Sequence, residues 1–130
     1  MKITELKNGD GFIKEYKVQK QHTTSHIGVS VLSTPSMIGL IEKSSNEFIQ
    51  DYLDDDYTTV GVLVNFTHEN PVLLNDRIVI KGNVINIANN KIGLKIRVSR
   101  KKDSTIISKG NHDRYIVNKD DFSKKLKGNC

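Results

Sequence analysis

The stretch that decides the fold runs from Ser33 to Leu53, S-T-P-S-M-I-G-L-I-E-K-S-S-N-E-F-I-Q-D-Y-L. It is the only segment long enough and patterned well enough to form a substantial helix. Thr34 stands at a natural N-cap, with Pro35 at the first helical position, where its missing N–H costs nothing. Apolar residues recur at Met37, Ile38, Leu40, Ile41, Phe48, Ile49, Tyr52 and Leu53. That is a helical stripe and not strand alternation. One residue interrupts it: Glu42 falls beside Ile38 and Ile41, on the face expected to be buried. A carboxylate held against an apolar wall is costly unless it has a partner or a task.

Working outward, the segments on either side read as strands. Before the helix, the Asn8-Gly9-Asp10-Gly11 cluster is turn chemistry, and Gly11 to Val18 reads as a short strand. Gln19 to Ser30 is polar and is expected to form a flap over whatever the helix N-terminus faces. It holds His22 and His26 at a spacing that could suit a metal on a helix, but no further ligand completes a set, and no metal is expected. After the helix, Asp54-Asp55-Asp56 is a solvated turn. Tyr57 to Asn70 is rich in β-branched residues, with a break at Gly61, and Pro71 ends it. Arg77 to Ala88 changes phase near Gly82-Asn83, which suggests a bulge there. Asn89-Asn90 suits a hairpin turn. Lys91 to Arg100 alternates cleanly, placing Ile92, Leu94, Ile96 and Val98 inward. A last strand covers Thr105 to Val117, interrupted at Gly110. The order is strand, flap, helix and four antiparallel strands, an α+β arrangement of one long helix wrapped by a curved sheet. A long unpaired edge strand is an aggregation hazard, so two copies paired edge to edge, at least a homodimer, are expected.

Composition bounds the answer further. The 130 residues are 36% hydrophobic and 27% charged, ordinary for a globular chain with a real core. No apolar run approaches a membrane span, and the N-terminus M-K-I-T-E-L-K lacks a signal peptide's apolar core. The single cysteine, Cys130, excludes a disulfide framework, and a reducing cytoplasm is the expected compartment. The formal charge of +5 is divided unevenly. Residues 81–130 hold 13 Lys/Arg against 4 Asp/Glu, whereas residues 1–80 hold 7 against 11. A solvated face explains such a basic half, and a landing site for a polyanionic small molecule is the other candidate. Nucleic acid is not expected, because the basic residues are not interleaved with aromatics and no helix-turn-helix or zinc motif occurs. Residues 1–118 form the domain, and 119–130 are expected to be a loose, polar, basic tail.

Three positions could share one chemistry. Thr34 caps the helix, Glu42 interrupts its buried stripe, and His68 lies near the end of the first long strand after it. A hydroxyl, a carboxylate and an imidazole are the usual parts for acyl transfer or proton abstraction, and a helix N-terminus suits a carbonyl that gains negative charge. Each residue also has an ordinary reading: a plain cap, a half-exposed glutamate, a strand-end histidine. If residues 34 to 42 are all helical, Thr34 and Glu42 lie about 12 Å apart along the axis and cannot both touch one carbonyl. Either Thr34 then sits in a turn that bends back, or the site draws on two subunits.

The segments V-L-S-T-P-S-M-I-G-L-I-E, G-V-L-V-N-F-T-H and G-N-H-D-R resemble, in order and spacing, the hot-dog-fold thioesterase family that includes fluoroacetyl-CoA thioesterase. The likeness runs from about Gly11 to Val117. It implies a hot-dog fold, an acyl-CoA substrate with coenzyme A as part of it, no separate cofactor, and a dimer, possible higher oligomers aside, with sites near the subunit interface. The family's catalytic threonine, glutamate and histidine fall on Thr34, Glu42 and His68. Its substrate-associated glycine and arginine fall on Gly61 and Arg114. Glu42 would attack the thioester carbonyl or activate water, attack being preferred, while His68 moves protons and Thr34 orients the carboxylate or donates to the oxyanion. Two departures stand out: the segment before Thr34 is shorter and lacks the phenylalanine-bearing lid, and Glu69-Asn70-Pro71 differ. Selectivity for a fluorinated acyl group is therefore not implied. A non-catalytic acyl-CoA-binding module and a hot-dog hydratase or dehydratase are the alternatives, the last disfavoured because Asp51 and Asp54–Asp56 lie beyond the catalytic end of the helix.

Overall fold

Helix α1, Thr34–Gln50, is the element on which the sheet is laid. In the computed structural model, which describes residues 5–128, its entry differs from the expected one by a residue. Ser33, in extended conformation, is the N-cap, and its hydroxyl accepts a hydrogen bond from Ser36 N at 3.2 Å. Thr34 is already helical and Pro35 follows at the second position, still within the turn whose N–H groups lack helical partners. With the cap supplied by Ser33, the Thr34 hydroxyl is released for other work. The helix buries Met37, Leu40, Ile41 and Ile49. Ser44 and Ser45 are buried among them, because each hydroxyl returns to the carbonyl four residues back at 2.7 Å. The helix stops at Gln50, and Tyr52 and Leu53 pack on the core from the turn beyond it.

The sheet that receives α1 is wholly antiparallel, in the order β1-β5-β6-β7-β4. Its strands are β1 (Gly11–Lys17), β4 (Tyr57–Phe66), β5 (Arg77–Ala88), β6 (Lys91–Arg100) and β7 (Ile106–Asn118). Two short strands, β2 (Thr23–Thr24) within the expected flap and β3 (Val31–Leu32) just after it, pair with each other. The alternation of β6 is as expected, with Ile92, Leu94, Ile96 and Val98 all buried against the helix side. Asn89 takes the positive φ of 57° that closes the β5–β6 hairpin.

Several expectations need correction. The β5 bulge lies between Val84 and Asn86, with Ile85 the extra residue, and not at Gly82-Asn83. β7 continues unbroken through Gly110. That glycine is there because β4 passes so close that a Cβ would run into the Asn65 carbonyl. β4 ends at Phe66, before the expected Asn70. The polar tail is a helix, α2 (Lys119–Gly128), with no buried residue; Asp120 and Asp121 in its first turn and Lys125 and Lys127 in its last turn suit the helix dipole. Cys130 lies outside the described residues.

His22 and His26 are each occupied locally. His22 Nδ1 accepts from Gln19 N at 3.1 Å, and His26 Nδ1 lies 2.9 Å from Thr24 Oγ1. Among the described residues no group of three His, Cys, Asp or Glu could hold a metal ion, and no helix is long and apolar enough to cross a membrane.

Candidate active site

The five sequence candidates collect in two places along α1. At its N-terminal end, Thr34 Oγ1 lies 2.7 Å from His68 Nδ1. The loop after β4 carries His68 back across the start of the helix and is held there by its own contacts. Thr67 N donates to Lys109 O, Glu69 N to Ile107 O, and the Asn70 amide to Ile106 O. Val31, Leu32, Glu69, Asn70 and Pro71 join His68 around an open depression of about 220 Å³. Burial lowers the His68 pKa from its ordinary 6.5 and favours the neutral ring. Its Nε2 is shielded from solvent and hydrogen-bonds to no described residue.

Two turns further along the helix, Glu42 faces the sheet opposite Gly61. Its Oε2 lies 3.7 Å from Arg114 Nη1. The side chain is 41% exposed, so the expectation of a buried carboxylate is corrected. Gly61 leaves open the space in front of Glu42, where a Cβ would stand 2.9 Å from Oε2. Arg114, by contrast, is only 6% exposed. Its Nε donates to Thr59 Oγ1 at 2.7 Å and its Nη2 to Thr59 O at 3.0 Å. The Thr59 hydroxyl donates in turn to Asn46 Oδ1 on α1. Burial lowers the Arg114 pKa, with Glu42 opposing it, and the group remains a cation at any ordinary pH.

His112 completes this second cluster and was not singled out in the sequence. It is fully buried; its Nδ1 lies 2.8 Å from Leu63 O and its Nε2 3.2 Å from Arg114 Nη1. Carbonyls only accept and guanidinium nitrogens only donate, so the ring is neutral with its proton on Nδ1. Burial lowers its pKa, chiefly, against a smaller opposing effect of the Leu63 carbonyl. A signal was available: along β7, Ser108, His112, Arg114 and Ile116 share the buried phase of the strand, and two titratable groups on a core face call for a reason. Thr59 and Asn46 carried no such signal.

The structure thus brings Thr34 to His68, and Glu42 to Arg114 and Gly61. Among the described residues no hydrogen bond or ion pair joins the two clusters within one chain. Since Thr34 is the first helical residue, Glu42 stands eight positions on, about 12 Å along the axis. The turn that would have bent Thr34 back does not exist.

A single long helix laid across an antiparallel sheet in the order β1-β5-β6-β7-β4 is the hot-dog arrangement, and the solved structures this chain resembles are of that class. The fluoroacetyl-CoA thioesterase FlK superposes with a TM-score of 0.87 at 16% identity, covering 96% of this chain and 98% of that one. A Thermus thermophilus hypothetical protein of the thioesterase superfamily superposes at 0.84 and 16%, covering 95% and 93%. A hot-dog-like protein from Thermanaerovibrio acidaminovorans superposes at 0.83 and 18%, covering 94% and 91%. At such identities these likenesses establish the fold. No curated protein matches the sequence. The chain belongs to the fluoroacetyl-CoA-specific thioesterase (FlK) family, whose model matches residues 14–120, and is a thioester hydrolase.

Proposed function

We propose that the chain hydrolyses acyl-CoA thioesters at a site shared between two subunits of a homodimer. One subunit supplies Glu42, Gly61 and Arg114, and the other supplies Thr34 and His68. The observation that carries this reading is the separation of the two clusters along one continuous helix. A second observation supports it. β4 is an edge strand of the sheet, and Val62, Leu63 and Val64 on it are exposed. Pairing β4 with its copy would cover an open strand edge and bring Gly61 of each subunit to the seam.

In this reading Glu42, only loosely engaged by Arg114 at 3.7 Å, attacks the thioester carbonyl carbon. The C–S bond breaks, the coenzyme A thiolate takes a proton by way of His68, and water then hydrolyses the acyl–glutamyl anhydride. His68 Nε2 is buried without a partner among the described residues, so a turn of the ring about its contact with Thr34 would present it to the reacting group. Arg114 stabilises the carboxylate and the charge that develops on the carbonyl oxygen. A module that only binds has no need of this set. The experiment is a panel of acyl-CoA esters assayed for free thiol. Thiol release by the wild-type chain, and its loss in E42Q, is expected. Tight binding without thiol would replace this reading with a binding module, and loss of an enoyl chromophore without thiol would replace it with a hydratase.

A further inference from the structure

We infer that His112 is a positioning residue for the thioester reaction, holding the Arg114 guanidinium toward the Glu42 carboxylate. This rests on the catalytic reading of Glu42 above and adds a residue to it. Two directional bonds define the role. The Leu63 carbonyl takes the proton of Nδ1, which obliges Nε2 to be an acceptor, and Nε2 then takes a proton of Arg114 Nη1, the nitrogen nearest Glu42. Thr59 fixes the other side of the guanidinium through Nε and Nη2. With Thr59 tied to Asn46, the plane of the guanidinium is set from β4, β7 and α1 together, and only its Glu42 side is open.

Leu63 is also where β4 bulges. The register against β7 shifts between Gly61 and Leu63, with Val62 the extra residue. A bulge bends its strand and re-aims side chains beside active sites. The His112 ring therefore spans from the bulge that presents Gly61 to the cation that faces Glu42. Protonating the ring would remove the acceptor and place a second cation against Arg114. The charged groups that face it are Arg114 and Asp113 on its own strand and Glu42 from α1.

Two substitutions separate the arms of this bridge. An asparagine amide reaches about where Nδ1 lies, so His112→Asn keeps a donor for Leu63 O and loses the acceptor for Arg114. A glutamine amide reaches about where Nε2 lies, so His112→Gln keeps the acceptor and loses the donor. If the bond to Arg114 is what matters, H112Q retains kcat within about 5-fold of wild type. H112N then loses about 10- to 100-fold in kcat, with KM changed far less, the size expected for a slight misplacement of catalytic groups. Equal losses in the two variants, or losses that follow their melting temperatures, would overturn the role. A second measurement needs no activity: 15N NMR of the imidazole in the wild-type chain, where a proton resident on Nδ1 at pH 7 is expected and one on Nε2 contradicts the inference. A wild-type chain that releases no thiol but shows the Nδ1 tautomer would sink the catalytic reading and leave the His112–Arg114 geometry standing.

Discussion

Replacing Gly61 by alanine should separate activity from stability. The new Cβ would lie 2.9 Å from Glu42 Oε2, and 3.5 Å from both Arg114 Nη1 and His112 Cε1. Ordinary contact begins near 3.4 Å, so the carboxylate must withdraw by about half an ångström while the other two neighbours stay. The atom that moves is the end of a flexible, 41% exposed side chain, so the fold is little strained. Glycine in a strand is unfavourable by roughly 0.5–1 kcal/mol relative to alanine, and this offsets the cost of moving Glu42. The net stability change should therefore fall within about 1 kcal/mol of zero. The reaction is far less tolerant, because a nucleophile displaced by a fraction of its contact distance loses about 10- to 100-fold in rate, or roughly 1.4–2.7 kcal/mol of transition-state stabilisation. Urea denaturation and steady-state thiol release on one preparation of G61A make the comparison. A folded G61A with wild-type kcat would refute the reasoning. A rise in KM alone would mean that the glycine makes room for substrate and not for the carboxylate.

Further outcomes are expected. Thr34→Val removes the hydroxyl beside His68 Nδ1 from an exposed position, so it should cost no more than about 1 kcal/mol of stability and lower kcat about 10- to 100-fold; an unchanged kcat removes Thr34 from the chemistry. His68 and His112 are both drawn below their ordinary 6.5 by burial, so between the folded and unfolded values the unfolded chain binds more protons. Stability from these two rings is therefore fully present above about pH 6.5 and is lost as pH falls through the folded values; urea midpoints at pH 7 and pH 5 should show this, with a shallower decline in H112Q. If the wild-type chain is the proposed homodimer, Val64→Lys, which puts a charge on the exposed β4 edge, should make it a monomer by light scattering, with activity lost in step; an active monomer would contradict the shared site.

Most of the fold could be read from the sequence because its two periodicities are strong. The Met37-to-Ile49 stripe marked α1, and the Ile92-Leu94-Ile96-Val98 alternation marked the centre of the sheet. What escaped was decided by contacts between distant segments. Ser33 and Thr34 are both favourable caps by residue type, and backbone conformation makes Ser33 the cap. Gly110 reads as an interruption in isolation; the approach of Asn65 makes it a requirement of continuity. The lysine-rich tail has too few apolar residues to announce a helix, yet its terminal charges favour one. At the site, Glu42 was conspicuous because it broke a pattern. The room its carboxylate has depends on Gly61, a residue far along the chain, and no local rule foretells that. His112 was visible as an imidazole on a buried strand phase, but its tautomer followed only once Leu63 O and Arg114 Nη1 were seen on either side of it.

The central claim is that a carboxylate from one subunit works with an imidazole from the other, and subunit complementation tests it most directly. E42Q and H68A chains bearing different tags are co-expressed and the mixed dimer is purified. In a shared arrangement, one of its two sites receives both mutations and the other receives none. Thiol release at about half the wild-type rate is expected from the mixed dimer, against near-zero rates for either parent dimer. A mixed dimer as inactive as its parents would place Glu42 and His68 in the same site of the same chain and contradict the account.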